Sequence, residues 1–121
     1  LRTGPRANAA LFVARAVRCS QRRTMTPAQL SASARADASP PAELTLAARA
    51  LWFTRRGEWE AAHAIAQDLD TPLGSWIHAL LHLIEGDLGN ARYWFAQAGR
   101  PARSPAEADE LWAEIAAEAL R

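Results

Sequence analysis

Apolar residues recur at spacings of three and four along residues 73–84, which places them on one face of an α-helix. Gly86 follows this segment and predicts its end, because glycine adopts the left-handed conformation of a helix C-terminus without strain. Asp87 is a suitable N-cap for a second helix, whose apolar face continues to Gly99. Helices joined by so short a turn lie antiparallel and in contact. The pattern therefore predicts a helical hairpin at residues 75–101.

A weaker copy of this hairpin precedes it along the chain. A shift of 29 residues places Gly57 on Gly86 and Ala50 on Ala79. Small and helix-ending residues that match at one offset are typical of a repeated helix-turn-helix unit. The sequence thus predicts two helical hairpins in tandem.

The run G-D-L-x-x-A-x-x-x-F-x-x-A, from Gly86 to Ala98, resembles the second helix of a tetratricopeptide repeat. The resemblance covers residues 45–101, although that family repeats at about 34 residues and this chain repeats at 29. The longer pattern W-I-H-A-L-L-H-x-x-E-G-D-L is similar to a group of small bacterial proteins. The resemblance implies a tetratricopeptide-like fold in a bacterial, cytoplasmic protein. It also implies a concave groove that binds a peptide and is lined by the first helix of each repeat.

The resemblance further indicates which side chains would contact such a partner. Trp52 and Trp76 fall on the first helices of the two hairpins, and buried aromatic residues commonly dominate binding energy. Leu80 lies on the same helix as Trp76, and Tyr93 lies on the second helix of that hairpin. These four residues are the candidate contacts for a protein or peptide partner, although core packing is the favoured role of each tryptophan taken singly.

Helix-capping motifs divide the rest of the chain. Thr26-Pro27-Ala28-Gln29 is a capping box with proline at the first helical position, and Ser104-Pro105-Ala106-Glu107 repeats it. Partial versions stand at Ser39-Pro40-Pro41 and Thr71-Pro72. These signals predict six helices, at about 27–36, 41–56, 58–69, 72–85, 88–99 and 105–120. The predicted fold is all-α, with antiparallel helical hairpins in the form of two short tetratricopeptide-like repeats and a C-terminal capping helix.

Two of these predicted helices carry further expectations about packing. The helix at 27–36 has Leu30 as its one large apolar residue, so we expect it to be frayed. The apolar face of the last helix would cover the open end of the second repeat, and a homodimer is the alternative cover. Its outer face carries an acidic row that is either solvated or a docking surface for a basic partner. The row consists of Glu107, Glu110, Glu114 and Glu118.

The N-terminal region differs in composition from the rest of the chain. Residues 1–36 contain seven arginines and no acidic residue. Three hypotheses for residues 1–24 stay open, namely a targeting peptide, a nucleic-acid-binding arm, or sequence translated from upstream of a native start at Met25. We favour the third. We therefore expect 1–24 to be a disordered or extraneous extension, 25–40 a short helix and linker, and 41–121 the helical domain.

Composition also bears on the class of function. No segment approaches the ~20 apolar residues that a membrane span requires. Arginine without interleaved aromatic residues is a weak signal for nucleic acid, so we expect neither a membrane nor a nucleic acid as partner. Cys19 is the one cysteine, which excludes an intramolecular disulfide and a cysteine-based zinc site.

One group of polar residues could carry chemistry. His78 and His82 lie one turn apart on the predicted helix at 72–85, with Glu85 on the same stripe, and His63 lies in the preceding helix. Two histidines one turn apart can bind a metal ion, with His63 or Glu85 as the third ligand. The alternative is a set of hydrogen-bonded packing residues, and we favour it because the rest of that helix is mostly apolar. We therefore assign no metal ligand, no cofactor and no catalytic residue.

Two functional hypotheses follow from these observations. The first is a non-enzymatic protein- or peptide-interaction module of the tetratricopeptide-like type. The alternative is a small-ligand or metal-binding helical protein, enzymes included, that uses His63, His78, His82 and Glu85 as its pocket. Imidazoles that converge on a site open to solvent would favour the alternative, whereas imidazoles buried against backbone carbonyls would favour the interaction module.

Overall fold

A computed structural model describes residues 25–121, and within this range the regular secondary structure is all helical, without a strand. The predicted all-α class is therefore confirmed, while the predictions for residues 1–24 lie outside the described range. No helix in the described range is both long and apolar enough to cross a membrane. The helices are α1 (Pro27–Ala36), α2 (Leu46–Arg56), α3 (Trp59–Asp68), α4 (Pro72–Glu85), α5 (Leu88–Ala98) and α6 (Ala108–Ala119), with a 3₁₀ turn at Pro105–Glu107 before α6.

The predicted hairpins form, as α2 with α3 and α4 with α5. Gly57 and Gly86 end the first helix of each with φ angles of 91° and 88°. The backbone N–H that follows each glycine bonds the helix in the same way, from Glu58 to the carbonyl of Phe53 and from Asp87 to the carbonyl of His82, both at 2.9 Å. The 29-residue offset read from the sequence is thus a repeat of backbone geometry at these two turns.

The start of α2 differs from the prediction. The helix begins at Leu46, well after the proline pair at which the sequence predicts its cap. Pro41 instead belongs to a turn, in which its carbonyl accepts a bond from the Leu44 N–H at 3.3 Å. Thr45 is the true N-cap, because its hydroxyl accepts from the Ala48 N–H at 3.2 Å.

The helix α1 is ordered by contacts that local sequence does not reveal, so the expectation of fraying is wrong. Leu30 and Ala34 are fully buried in the core. The indole N–H of Trp52 donates to the Ser33 hydroxyl at 3.0 Å, and the Arg56 guanidinium donates to the Ala34 carbonyl at 3.1 Å. These bonds fix α1 to α2.

The helix α6 packs across both α2 and α4. Its apolar face is buried, and the indole N–H of Trp112 donates to the Leu51 carbonyl of α2 at 2.9 Å. The acidic row on its other side is paired with the chain's own arginines. Arg103 contacts Glu107, Glu110 and Glu114 at 3.1–3.4 Å, and Arg100 contacts Glu118 at 2.6 Å.

Ala79 lies in the middle of α4 with no exposed surface. We expect Ala79→Leu to lower the free energy of unfolding by about 1–3 kcal/mol, because a larger side chain overpacks this position. Denaturant melts of the variant and of Ala96→Leu, at an exposed position on α5, provide the measurement and its control. Equal stability of the two variants would contradict the close packing at Ala79.

Candidate functional site

Three imidazole rings meet between α3 and α4. His63 projects from α3 towards His78 and His82 of α4, and we call these three residues the histidine cluster. The Nε2 atoms of His63 and His78 lie 2.9 Å apart. One ring nitrogen from each of the three residues lies within 4.8 Å of the other two. All three histidines of the chain are therefore in one place.

Local sequence explains how the helices present these rings. A spacing of four residues puts His78 and His82 on one face of α4. On α3, Trp59 lies one turn before His63, and the two rings stack with centroids 4.7 Å apart. The indole N–H of Trp59 also donates to the Leu81 carbonyl at 2.7 Å, which fixes the start of α3 against α4. His63 is thus held in front of the α4 histidines by its own helix.

Two tryptophans flank the histidine cluster. The ring of His78 stacks on Trp94 of α5 with centroids 4.0 Å apart and planes within 12°, and Trp59 stacks on His63 from the other side. Both tryptophans are partly buried and lie at the margin of the core. From the sequence we grouped His63, His78 and His82 but did not connect Trp59 or Trp94 with them. A signal for Trp59 was present in its spacing of four from His63.

The histidine cluster lies just beneath the surface. His78 and His82 are 5% and 8% exposed, while His63 is half-buried and Glu85 is exposed. Burial, together with the neighbouring His63 and His82, lowers the pKa of His78 to about 4. Burial and His82 also lower the pKa of His63, against an opposing effect of Glu85. His63 and His78 are thus neutral at pH 7, and one of the two Nε2 atoms donates its proton to the other.

His82 has a second partner in Glu85. Its Nδ1 atom lies 2.7 Å from the Glu85 Oε2 atom, one helical turn away. A local partner for this carboxylate is expected from the sequence, because a helix C-terminus disfavours negative charge. A carboxylate on Nδ1 takes the N–H of that nitrogen and fixes the orientation of the ring, so Nε2 is the ring nitrogen that Glu85 leaves free. His82, Glu85 and Asp87 also form a more exposed group of possible ligand atoms.

The structure does not bring the predicted partner-binding residues together at the surface. Trp52, Trp76 and Leu80 are buried in the core, and of these four residues only Tyr93, at 55%, is substantially exposed. The physical reason is that α1 and α6 cover the first helices of the hairpins. The predicted groove is therefore filled by the chain itself in this structure.

Comparisons of the chain with protein-family models, with curated proteins and with solved structures give no match. The resemblance to tetratricopeptide repeats accordingly stays a prediction.

Proposed function

We propose that this chain is a ligand-binding protein and that the histidine cluster is its ligand site. The observation that carries the proposal is the convergence of the three imidazoles, whose ring nitrogens lie within 4.8 Å of one another. Trp52, Trp76 and Leu80, three of the candidate contacts for the interaction module, are buried.

The placement of the histidine cluster supports a ligand more than simple packing. Three polar rings at a helix contact lose hydration on burial, and apolar residues would fill the same volume without that loss. The half-buried ring of His63 and the exposed Glu85 leave one edge of the cluster near solvent. A ligand could reach the ring nitrogens from this edge.

Native mass spectrometry of the full chain, purified without a histidine tag, tests this proposal. We expect the protein to carry a bound species of low mass at one equivalent, and we expect His63→Gln to lose it. Gln97→Ala, at an exposed position on α5, is the matched control and should keep it. Identical ligand-free masses for the wild type and the His63 variant would contradict the proposal.

A second candidate function is an interaction module with a different contact surface. Ile84 and Leu88, at the turn between α4 and α5, are 49% and 43% exposed. Ile84 lines one of two shallow pockets that share Leu83 and Pro105, and Leu88 lines the other. A co-purified species with the mass of a protein, lost in Ile84→Asp and retained in Leu46→Asp, would favour this candidate.

A further inference from the structure

We propose that the ligand of the histidine cluster is a divalent transition-metal ion of the zinc type, bound by His63, His78 and His82. This inference rests on the proposed function and names the chemical class of its ligand. Glu85 is the positioning residue in this proposal, since it holds His82 through the ring nitrogen that does not bind the metal.

The spacing of the ring nitrogens fits such an ion. Three imidazole nitrogens that bind one Zn²⁺ ion at about 2.0–2.1 Å lie about 3.3 Å from one another in tetrahedral geometry. The Nε2 atoms of His63 and His78 are 2.9 Å apart, and a ring nitrogen of His82 lies within 4.8 Å of the ring nitrogens of the other two histidines. Rotation of the side chains is sufficient to bring these three nitrogens to the spacing of a zinc site. The helices α3 and α4 can therefore stay where they are.

The contact between His82 and Glu85 has the form of a metal site's outer shell. Histidines that bind zinc commonly donate their other ring N–H to a carboxylate, which fixes the tautomer and raises the basicity of the binding nitrogen. The distance of 2.7 Å from His82 Nδ1 to Glu85 Oε2 meets this description.

The donor set selects the class of metal. Neutral imidazoles suit Zn²⁺, Cu²⁺ and Ni²⁺, whereas Ca²⁺ and Mg²⁺ require oxygen ligands.

In the metal-free protein one Nε2 proton lies between His63 and His78. On binding, this proton moves through solvent to the Nδ1 atom of the same ring, and both Nε2 lone pairs then bind the metal. This pair releases no net proton, and no group is oxidised in this step. Three protein ligands leave a fourth position for water or an exchangeable ligand.

Two other arrangements compete with this assignment. In the first, the histidine cluster is only a hydrogen-bonded packing unit and binds no metal. In the second, the metal binds at the surface, to His82, Glu85 and Asp87. His63 distinguishes the proposed site from both, because it takes part in the histidine cluster and not in the surface group.

The test is titration of the full, metal-free and untagged chain with Zn²⁺ by calorimetry and with Co²⁺ by visible absorption. Because Cys19 could bind metal through its thiol, the titrations use a Cys19→Ser background. We expect one ion per chain, sub-micromolar affinity for Zn²⁺, and the intense visible bands of tetrahedral Co²⁺. Zn²⁺ should also raise the melting temperature, because it binds the folded state preferentially.

The variants separate the three arrangements. Glu85→Gln should weaken Zn²⁺ binding about 10–100-fold, and His63→Gln should weaken it at least about 100-fold, because an outer-shell group contributes less than a ligand. Asp87→Asn, which keeps an N-cap residue for α5, should leave the affinity within twofold. Circular dichroism checks that each variant is folded. If His63→Gln does not fold, His63→Ala takes its place.

Three outcomes would overturn the metal assignment. These are the absence of Zn²⁺ binding by the wild type, unchanged affinity in His63→Gln, and loss of affinity in Asp87→Asn. If Zn²⁺ fails to bind but native mass spectrometry shows a metal-free ligand that depends on His63, the proposed function stands and the metal assignment fails. If neither is observed, both proposals fail.

Discussion

Replacing Gly74 by alanine should lower the free energy of unfolding by about 2–4 kcal/mol, which is large for the addition of one methyl group. Alanine is the better helix former by about 1 kcal/mol in a helix interior, so propensity alone would predict the opposite sign. Gly74 lies in the first turn of α4, and its N–H donates to the hydroxyl of the N-cap Thr71 at 3.0 Å. The short connection from α3 folds back onto this turn.

The expected loss comes from contact with backbone. A Cβ atom at position 74 would lie 2.3 Å from the Leu69 carbonyl oxygen and 2.5 Å from the Leu69 Cβ atom. Leu69 is the C-cap residue of α3, and its N–H bonds the Ala66 carbonyl at 3.1 Å. The connection between α3 and α4 therefore cannot move away from the added Cβ atom without disturbing the end of α3 or the N-cap of α4. Such a shift would also alter how α3 presents His63 to α4.

Gly89→Ala is the matched control, because Gly89 is also in the first turn of a helix. A Cβ atom there would meet nothing within 4 Å. We expect this variant to be more stable than the wild type by up to about 1 kcal/mol. Denaturant melts of both variants provide the measurement. A Gly74 variant as stable as the Gly89 variant would show that the connection between α3 and α4 relaxes freely.

Acidification of the metal-free protein from pH 7 to pH 5 should lower the free energy of unfolding by about 2 kcal/mol through His78 alone. The pKa of His78 is about 4 in the folded protein, against an ordinary value of 6.5. Between these values the unfolded chain binds more protons than the folded protein does. The stabilising effect of neutral His78 is therefore complete above pH 6.5 and is lost progressively towards pH 4. His63, whose pKa is also lowered, adds to this loss.

His78→Phe tests the assignment of this pH dependence. Phenylalanine retains a ring that can stack on Trp94 but does not titrate, so stability should vary less steeply with pH whatever its absolute value. Within residues 25–121, the titratable groups that act on His78 are His63 and His82, and Glu85 contacts His82. The range from pH 7 to pH 5 lies above most carboxylate titrations. An equal slope in the wild type and in His78→Phe would show that the pKa of His78 is not lowered in the folded protein.

Local signals in the sequence were sufficient for most of the fold. Apolar spacing and glycine placement predicted both hairpins, because helix periodicity and the left-handed C-terminus depend on residues within a few positions of one another. The predicted start of α2 was wrong. Two N-cap positions are possible there, and the helix begins after Thr45 and not at the segment that contains Pro40 and Pro41. Nearby residues alone do not settle such a competition.

The candidate site was predictable only in part. The spacing of His78, His82 and Glu85 placed them on one stripe of a helix, and this much follows from the helical period alone. That His63 lies 2.9 Å from His78, and that Trp59 and Trp94 flank the rings, depends on how α3 and α5 pack against α4. Side-chain contacts of this kind are set by the relative rotation and position of whole helices.

The burial of Trp52, Trp76 and Leu80 was likewise decided by tertiary structure. Sequence determined that these residues lie on the first helices of the hairpins, and it did not determine what covers them. On α2 the cover comes from α1, through the bond between Ser33 and Trp52 across 19 residues, and from α6, through the bond between Trp112 and Leu51 across 61 residues. On α4 the cover includes α6 and the guanidinium of Arg100, which lies over the Trp76 ring. An apolar helix face is equally suited to a partner and to another part of its own chain, because burial of apolar surface is non-directional. Only the folded arrangement distinguishes the two.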